Sequence, residues 1–369
     1  MAQPPPGGLS HLMTGPHEQG AQERSLTHEK VFCIDTFCCN AALSLVACGN
    51  QTNADTPSDS PYNKLNLKIS VNTGEAGIDF MTAQKFADLV KEASDGVIQA
   101  TVYGNGQLQG GDMSKSIETL LAGGTFEMCV VSGTVLSAVD EKFLTSQLPF
   151  IFSTYEEADQ YLIGTGGAYY EQLAASKGMT MLGLFHNGLK QISNSKKECH
   201  LPSDYAGMKI RIPSGEVAMK TYKAFGADPI AMTWGEVYTA LQQKTVDGQD
   251  NSYMTIASGS IQEVNKYITE VNWQYEFYTL IADSNVFNTW NEATQNLVKE
   301  KALEACEWGR TYQEEEEANI KQDFIDSGVI ITELTDTERQ AFIDATAEVR
   351  SYFIDKYGKE ACDAWGIKG

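Results

Sequence analysis

The chain reads as an α/β protein built from two domains. Its 369 residues exceed what a single compact core usually spans. From Tyr62 onward, strand and helix periods alternate along the sequence. The first segments run in the order β-α-β-α-β, which forms a mostly parallel sheet with helices on its faces.

The elements justify this reading in turn. Leu65, Leu67, Ile69 and Val71 recur at every second residue and predict a half-buried strand running into Asn72. Ala83, Phe86, Ala87 and Val90 follow at helical spacing, and Asp95-Gly96 marks a turn. Ile98, Ala100 and Val102 predict the second strand. Met113, Ile117, Leu120 and Leu121 predict a second amphipathic helix, closed by Gly123-Gly124, and Met128 to Val131 predict a third strand. Parallel sheets hold ligands beyond the carboxyl ends of their strands, where Asn72 and Ser132 fall.

The second half repeats the pattern. Leu182 to Phe185 read as a strand, followed by a turn or crossover at Asn187-Gly188. Met208, Ile210 and Ile212 alternate with Lys209 and Arg211 in a strand that Pro213 ends, because proline cannot donate to the ladder. Ser214 stands where it can cap a helix with the face Ala218, Tyr222 and Phe225 and a stop at Gly226. Thr233 and Glu236 have capping-box spacing ahead of a helix through Val237, Ala240 and Leu241. A long helix is predicted from about Asn291 to Ser327. It carries Glu314 to Glu317, and four adjacent carboxylates cannot share one helix face, so the run reads as a solvated stretch rather than a metal site.

The first sixty residues differ from the rest. Residues 1–47 are read as a leader and export signal: Val31 to Cys48 is apolar, Lys30 precedes it and small residues close it. Leu45-Val46-Ala47-Cys48 resembles a bacterial lipobox, so Cys48 is the expected lipidation site, and 48–61 is a flexible tether. Asp35 inside the apolar run and the long stretch before Lys30 depart from a usual signal. Beyond Cys48 no run is apolar and long enough to span a bilayer. Cys129, Cys199, Cys306 and Cys362 follow no metal-binding spacing; one disulfide and buried free thiols are both open, with thiols favoured.

A formal net charge of -22 argues against nucleic acid, which needs a basic face. It does not argue against a small anion, since a local cationic cluster outweighs distant surface charge. No H-E-x-x-H, nucleophile elbow, phosphate-binding loop or complete dinucleotide loop occurs, so no metal or cofactor is expected and an enzyme is disfavoured. His186 and Asp250 are the titratable candidates for catalysis, and neither has a visible partner in sequence. Arg211 stands out because its strand aims the guanidinium away from the apolar face, and the planar fork suits a carboxylate.

Four segments carry a resemblance: Gly207 to Pro213, Gly226 to Pro229, Glu236 to Gln242 and Val246 to Asn251. In this order they resemble the solute-binding proteins of tripartite ATP-independent periplasmic (TRAP) transporters, with fainter similarity from Tyr62 to the C-terminus. The resemblance implies two α/β domains joined by crossing strands and a long helix around a central cleft, the type II periplasmic-binding style. The expected division is 62–188 with 277–316, and 189–276 with 317–369. The implied function is extracytoplasmic capture of a small organic acid anion by domain closure and delivery to the transporter's membrane subunits. A receptor for another importer or a sensor kinase is the alternative. The resemblance matches Arg211 to the carboxylate-gripping arginine, Asn251 to the pocket asparagine, Trp234 to the stacking aromatic and Asn72 to a polar residue ending the first strand. Lys190 stands where a second basic group, often arginine, is usual. Ser132 stands where sialic-acid binders carry an acid, which makes sialic acid an unlikely ligand. Tyr253 and Trp273 add aromatic bulk nearby and favour a ligand with a flat or apolar body.

Overall fold

The computed structural model describes residues 60–368; the leader, nearly all of the tether and Cys48 lie outside them. The first sheet contains β1 (Leu65–Ser70), β2 (Ile98–Tyr103), β3 (Met128–Ser132) and β4 (Met179–Leu189). The second contains β5 (Gln191–Asn194), β6 (Lys209–Ile212), β7 (Asp228–Ala231), β8 (Gly248–Asn251), β9 (Tyr267–Glu270) and β11 (Ile330–Glu333). β10 (Tyr275–Asp283) returns to the first sheet, whose order is β2-β1-β3-β10-β4, while the second runs β11-β9-β5-β8-β6-β7.

Each sheet is parallel except for one strand. β10 pairs antiparallel with β3 and β4, and β5 pairs antiparallel with β8 and β9. Each begins just after the chain has crossed directly from the other sheet, once between Leu189 and Gln191 and once between Glu270 and Tyr275; the third crossing, to β11, runs through the long helix. The first crossing needs Gly188. Its φ is 122°, and a Cβ there would lie 2.6 Å from Ser252 Cβ and 2.8 Å from Tyr155 Oη, so a side chain is excluded by conformation and by space.

The 35-residue helix Glu292–Asp326 is about 52 Å long at the usual helical rise. It opens at Asn291, whose side chain accepts from the Thr294 N–H, and it ends before Gly328 in a left-handed conformation. Leu297, Val298, Ala302 and Cys306 pack into the first sheet's core, and Phe324 into a core beside the second sheet, so one rigid element touches both. The glutamate run is less uniformly solvated than its sequence suggests. Glu314 Oε1 lies 3.1 Å from His186 Nε2, and Glu317, half-buried beside Gln313, is pushed up to about 7 by burial.

Two other expectations change, and the cysteine question is settled. Helices Ala347–Tyr357 and Lys359–Ala364 send Phe353, Tyr357, Ala361 and Cys362 into the same core as Phe277 of the first sheet and Tyr170 of helix Thr165–Ser176. The end of the chain therefore packs against the first sheet, whereas the expected division assigned all of 317–369 to the second domain. Ser214 is not the cap of helix Glu216–Ala224; Gly215 occupies that position without a side-chain bond. Cys129, Cys199, Cys306 and Cys362 are buried free thiols.

Candidate functional site

A cavity of about 580 Å³ lies where the strand ends of the two sheets meet. Asn72, Ser132 and Tyr278 reach it from the first sheet, and Arg211, Trp234 and Asn251 from the second. Lys190, at the first crossing, lies between. All six residues singled out in the sequence, Arg211, Asn251, Trp234, Lys190, Asn72 and Ser132, therefore line one cavity.

Strand alternation builds the central group. Ile210 and Ile212 are fully buried in the hydrophobic core, and Arg211 between them leaves on the cavity side with 4% exposure. Its Nε and Nη2 donate to the Met232 carbonyl at 3.0 and 2.7 Å. Nη1 has no partner among the described residues. The guanidinium is thus fixed by one edge, leaving donors for an incoming anion. Burial pushes Arg211 down to about 10, opposed by the negative charges of Asp250 and Glu276, so it remains cationic at neutral pH.

The same bond fixes the aromatic wall. Met232 precedes Thr233, the N-cap of helix Trp234–Gln242, where the Glu236 carboxylate accepts from the Thr233 N–H at 3.3 Å. The Trp234 ring lies 5.9 Å from Arg211 Cζ, and a Cβ on Gly259 would come within 2.6 Å of the ring edge. Trp234 is half-buried: it packs on Gly259 and a core cluster and also lines the cavity.

Asn251 ends β8 and donates through Nδ2 to Gln249 Oε1 at 2.6 Å. Asn72 does not cap the following helix. Helix Ile78–Ala93 starts at Gly77 without a side-chain bond, the Asp79 carboxylate accepts from the Asn72 and Thr73 N–H groups at 2.9 and 3.0 Å, and the Asn72 side chain lines the cavity. Trp273 and Tyr253, by contrast, are core residues away from the cavity lining. Trp273 is fully buried and donates to Asp250 Oδ2 at 3.0 Å, so of the three expected aromatics Trp234 alone forms the wall.

Sequence reasoning missed Glu276. This carboxylate on β10 lines the cavity at 3% exposure and lies 2.9 Å from Lys190 Nζ, itself 2% exposed. Burial alone would raise Glu276, but Lys190 and the Thr134 hydroxyl outweigh it and hold the carboxyl below its ordinary range. Burial alone would likewise lower Lys190, and the charges of Glu276 and Asp250 reverse the sign, so Lys190 is raised. A glutamate inside a nine-residue strand of buried residues was the available signal, since such a charge needs a partner.

His186 and Asp250 do not line the cavity. His186 Nδ1 meets the Tyr275 hydroxyl at 2.8 Å, and its other nitrogen lies 3.1 Å from Glu314 and 3.6 Å from Asp159. The Asp159 carboxylate also faces the Arg310 guanidinium at 3.8 Å, which supplies a cation to this cluster.

Comparison with known proteins agrees with the geometry. The family model for bacterial extracellular solute-binding proteins, family 7, matches residues 69–356. An uncharacterised protein of Sinorhizobium fredii is 32% identical over 269 residues, 73% of this chain and 49% of that one, so the chain spans about half that relative's length. The C4-dicarboxylate-binding periplasmic protein DctP of Shewanella loihica is 30% identical over 283 residues, 76% of this chain and 83% of that one. The sugar acid binding protein of Advenella mimigardefordensis in complex with galactonate superposes with a TM-score of 0.78 at 26% identity, covering 82% of this chain and 98% of that one. The matched span includes all of both sheets but the start of β1 and every residue named around the cavity, and the chain belongs to the family 7 bacterial extracellular solute-binding proteins, the DctP family of TRAP-transporter receptors.

Proposed function

We propose that this protein captures a small organic acid anion in the cavity, with its carboxylate on the free donors of Arg211, and delivers it to TRAP membrane subunits. The observation that carries the reading is a buried guanidinium tied along one edge and, among the described residues, unpartnered at Nη1. A desolvated carboxylate needs a matched cation, and a two-pronged pair with arginine is the strongest neutral-pH solution. Two relatives fit the same chemistry, one named for C4-dicarboxylates and the other bound to a sugar acid. Because the wall draws on both sheets, an anion touching both favours the closed arrangement of the two lobes. We take the protein to be a carrier rather than an enzyme, since Glu276 and Lys190 are locked together and His186 and Asp250 lie behind the wall. Mass spectrometry of acid carried through purification, followed by calorimetric titration, tests this. A purified ligand with no carboxylate would overturn it.

Trp234 supplies a flat surface beside the guanidinium. Trp234→Ala is expected to weaken binding by about 1–3 kcal/mol with little change in melting temperature. If affinity is kept and melting falls, the ring serves packing on Gly259 alone.

The outer location is part of the same proposal. It rests on the apolar run ending at Cys48 and on the periplasmic location named for the Shewanella relative. If Cys48 carries lipid, labelled palmitate enters the wild type and not Cys48→Ser. Equal labelling, or none in either, removes the anchor and leaves a free extracytoplasmic protein.

A further inference from the structure

We propose that Glu276 makes the site selective for hydroxylated monocarboxylates, by neutralising Lys190 before any ligand arrives and so denying a second carboxylate its cation. The inference rests on the reading that Arg211 receives the first carboxylate.

The Glu276 carboxylate is held on both oxygens. Oε1 accepts from the Thr134 hydroxyl at 2.5 Å and from Gln147 Nε2 at 3.4 Å, and Oε2 accepts from Asn187 Nδ2 at 3.1 Å and faces Lys190 Nζ at 2.9 Å. With this many donors converging from the first sheet's elements, the ion pair is a fixture of the wall. A ligand would have to break several buried bonds to take Lys190 for itself.

The cavity's charge follows directly. Its charged lining residues are Arg211, Lys190, Glu236 and Glu276, two cations and two anions, so the formal sum is zero. Asp250, behind the wall, adds a further negative neighbour to both Arg211 and Lys190. One carboxylate is matched by Arg211. A second would lose its hydration and meet no unpaired cation, only the field of Glu276.

Uncharged oxygens are a different matter. The Lys190 ammonium has three donors and Glu276 as its one ionic partner among the described residues, which leaves N–H groups for a hydroxyl or carbonyl oxygen. Asn72, Ser132, Ser137, Asn251 and Thr255 are among the wall amides and hydroxyls of the kind that bond a polyhydroxylated chain. The class indicated is therefore an acid with one carboxylate and several hydroxyl or carbonyl groups.

The test uses acid pairs that share a carbon skeleton: glycerate with tartronate, erythronate with tartrate, galactonate with galactarate, and glucuronate with glucarate. Thermal shift selects binders, and calorimetry on wild type, Glu276→Gln and the doubly neutral Lys190→Met/Glu276→Gln gives affinities. In wild type the preferred monocarboxylate is expected to bind at least about a hundredfold tighter than its dicarboxylate partner, near 2.7 kcal/mol. Glu276→Gln frees Lys190 and should cut that ratio by at least about tenfold, through a gain in dicarboxylate affinity. The double variant should not show that gain. A wild type that binds a dicarboxylate as tightly as its partner, or a folded Glu276→Gln with an unchanged ratio, overturns the selectivity while leaving Arg211 as the carboxylate site. Failure of every acid in both columns to bind overturns the carboxylate reading itself. The wild-type comparison decides the first point even if Glu276→Gln does not fold.

Discussion

Arg211→Ala should lower affinity for the bound acid by about 2–5 kcal/mol, roughly thirtyfold to several thousandfold. The size follows from what remains after removal: a desolvated carboxylate facing Glu276, with a lysine already paired as the other cation of the lining. Arg211→Lys keeps the charge but loses the fork, since an ammonium has no planar edge that presents two parallel donors to a carboxylate while another edge holds the Met232 carbonyl. It should therefore remain clearly impaired, between alanine and wild type. The alanine variant also frees the Met232 carbonyl, next to the cap that starts the Trp234 helix, and leaves the Met232 N–H on the Ile212 carbonyl as the remaining tie to β6. Circular dichroism and melting must accompany the titration, because a loosened cap would mimic part of the loss. A folded Arg211→Ala that binds the acid as tightly as wild type removes the carboxylate clamp and most of the functional reading.

How far the sequence revealed this arrangement depends on local period. β1 and β6 were legible because one face is buried and alternation is clean, and β6 thereby pointed Arg211 out of the core. The long helix was legible from its length, from Asn291 at one end and from Gly328 just past the other. β7, β8, β9 and β11 are as short as β6 but lack its alternation of apolar and charged residues, so no period shows in them. β10 has nine residues, all buried, so it has no alternation to read. That strand hid the one strong error of the site, the partner of Lys190. Sequence spacing placed Lys190 beside the cleft but could not show that Glu276, eighty-six residues later, would reach it across β4. Trp273 was misassigned for a similar reason. Its neighbourhood is aromatic, but the indole turns into the core to satisfy Asp250.

The second large effect concerns stability without ligand. Lys190→Met removes one half of a buried pair and strands the other, which should cost about 3–5 kcal/mol of unfolding free energy at neutral pH. Removing both charges in Lys190→Met/Glu276→Gln should recover most of that loss, because the glutamine keeps a carbonyl oxygen for Thr134 and neither half of the pair is left charged without its partner. The pH dependence separates this from simple loss of packing. In wild type Glu276 is held below its ordinary range, so the native state binds fewer protons there than the unfolded chain. Its contribution is present above the ordinary glutamate range and is lost as pH falls through the lowered value. Lys190 is raised, so its contribution is present below the ordinary lysine range and is lost as pH rises through the raised value. In Lys190→Met the sign for Glu276 reverses, since burial now acts without its cation and favours the protonated acid. The deficit relative to wild type should then be greatest at neutral pH and shrink on acidification toward the glutamate range. Urea unfolding of the three proteins between pH 4 and pH 8 measures this. A deficit that stays constant across that range, and that the double variant does not relieve, would mean that Lys190 stabilises by packing alone.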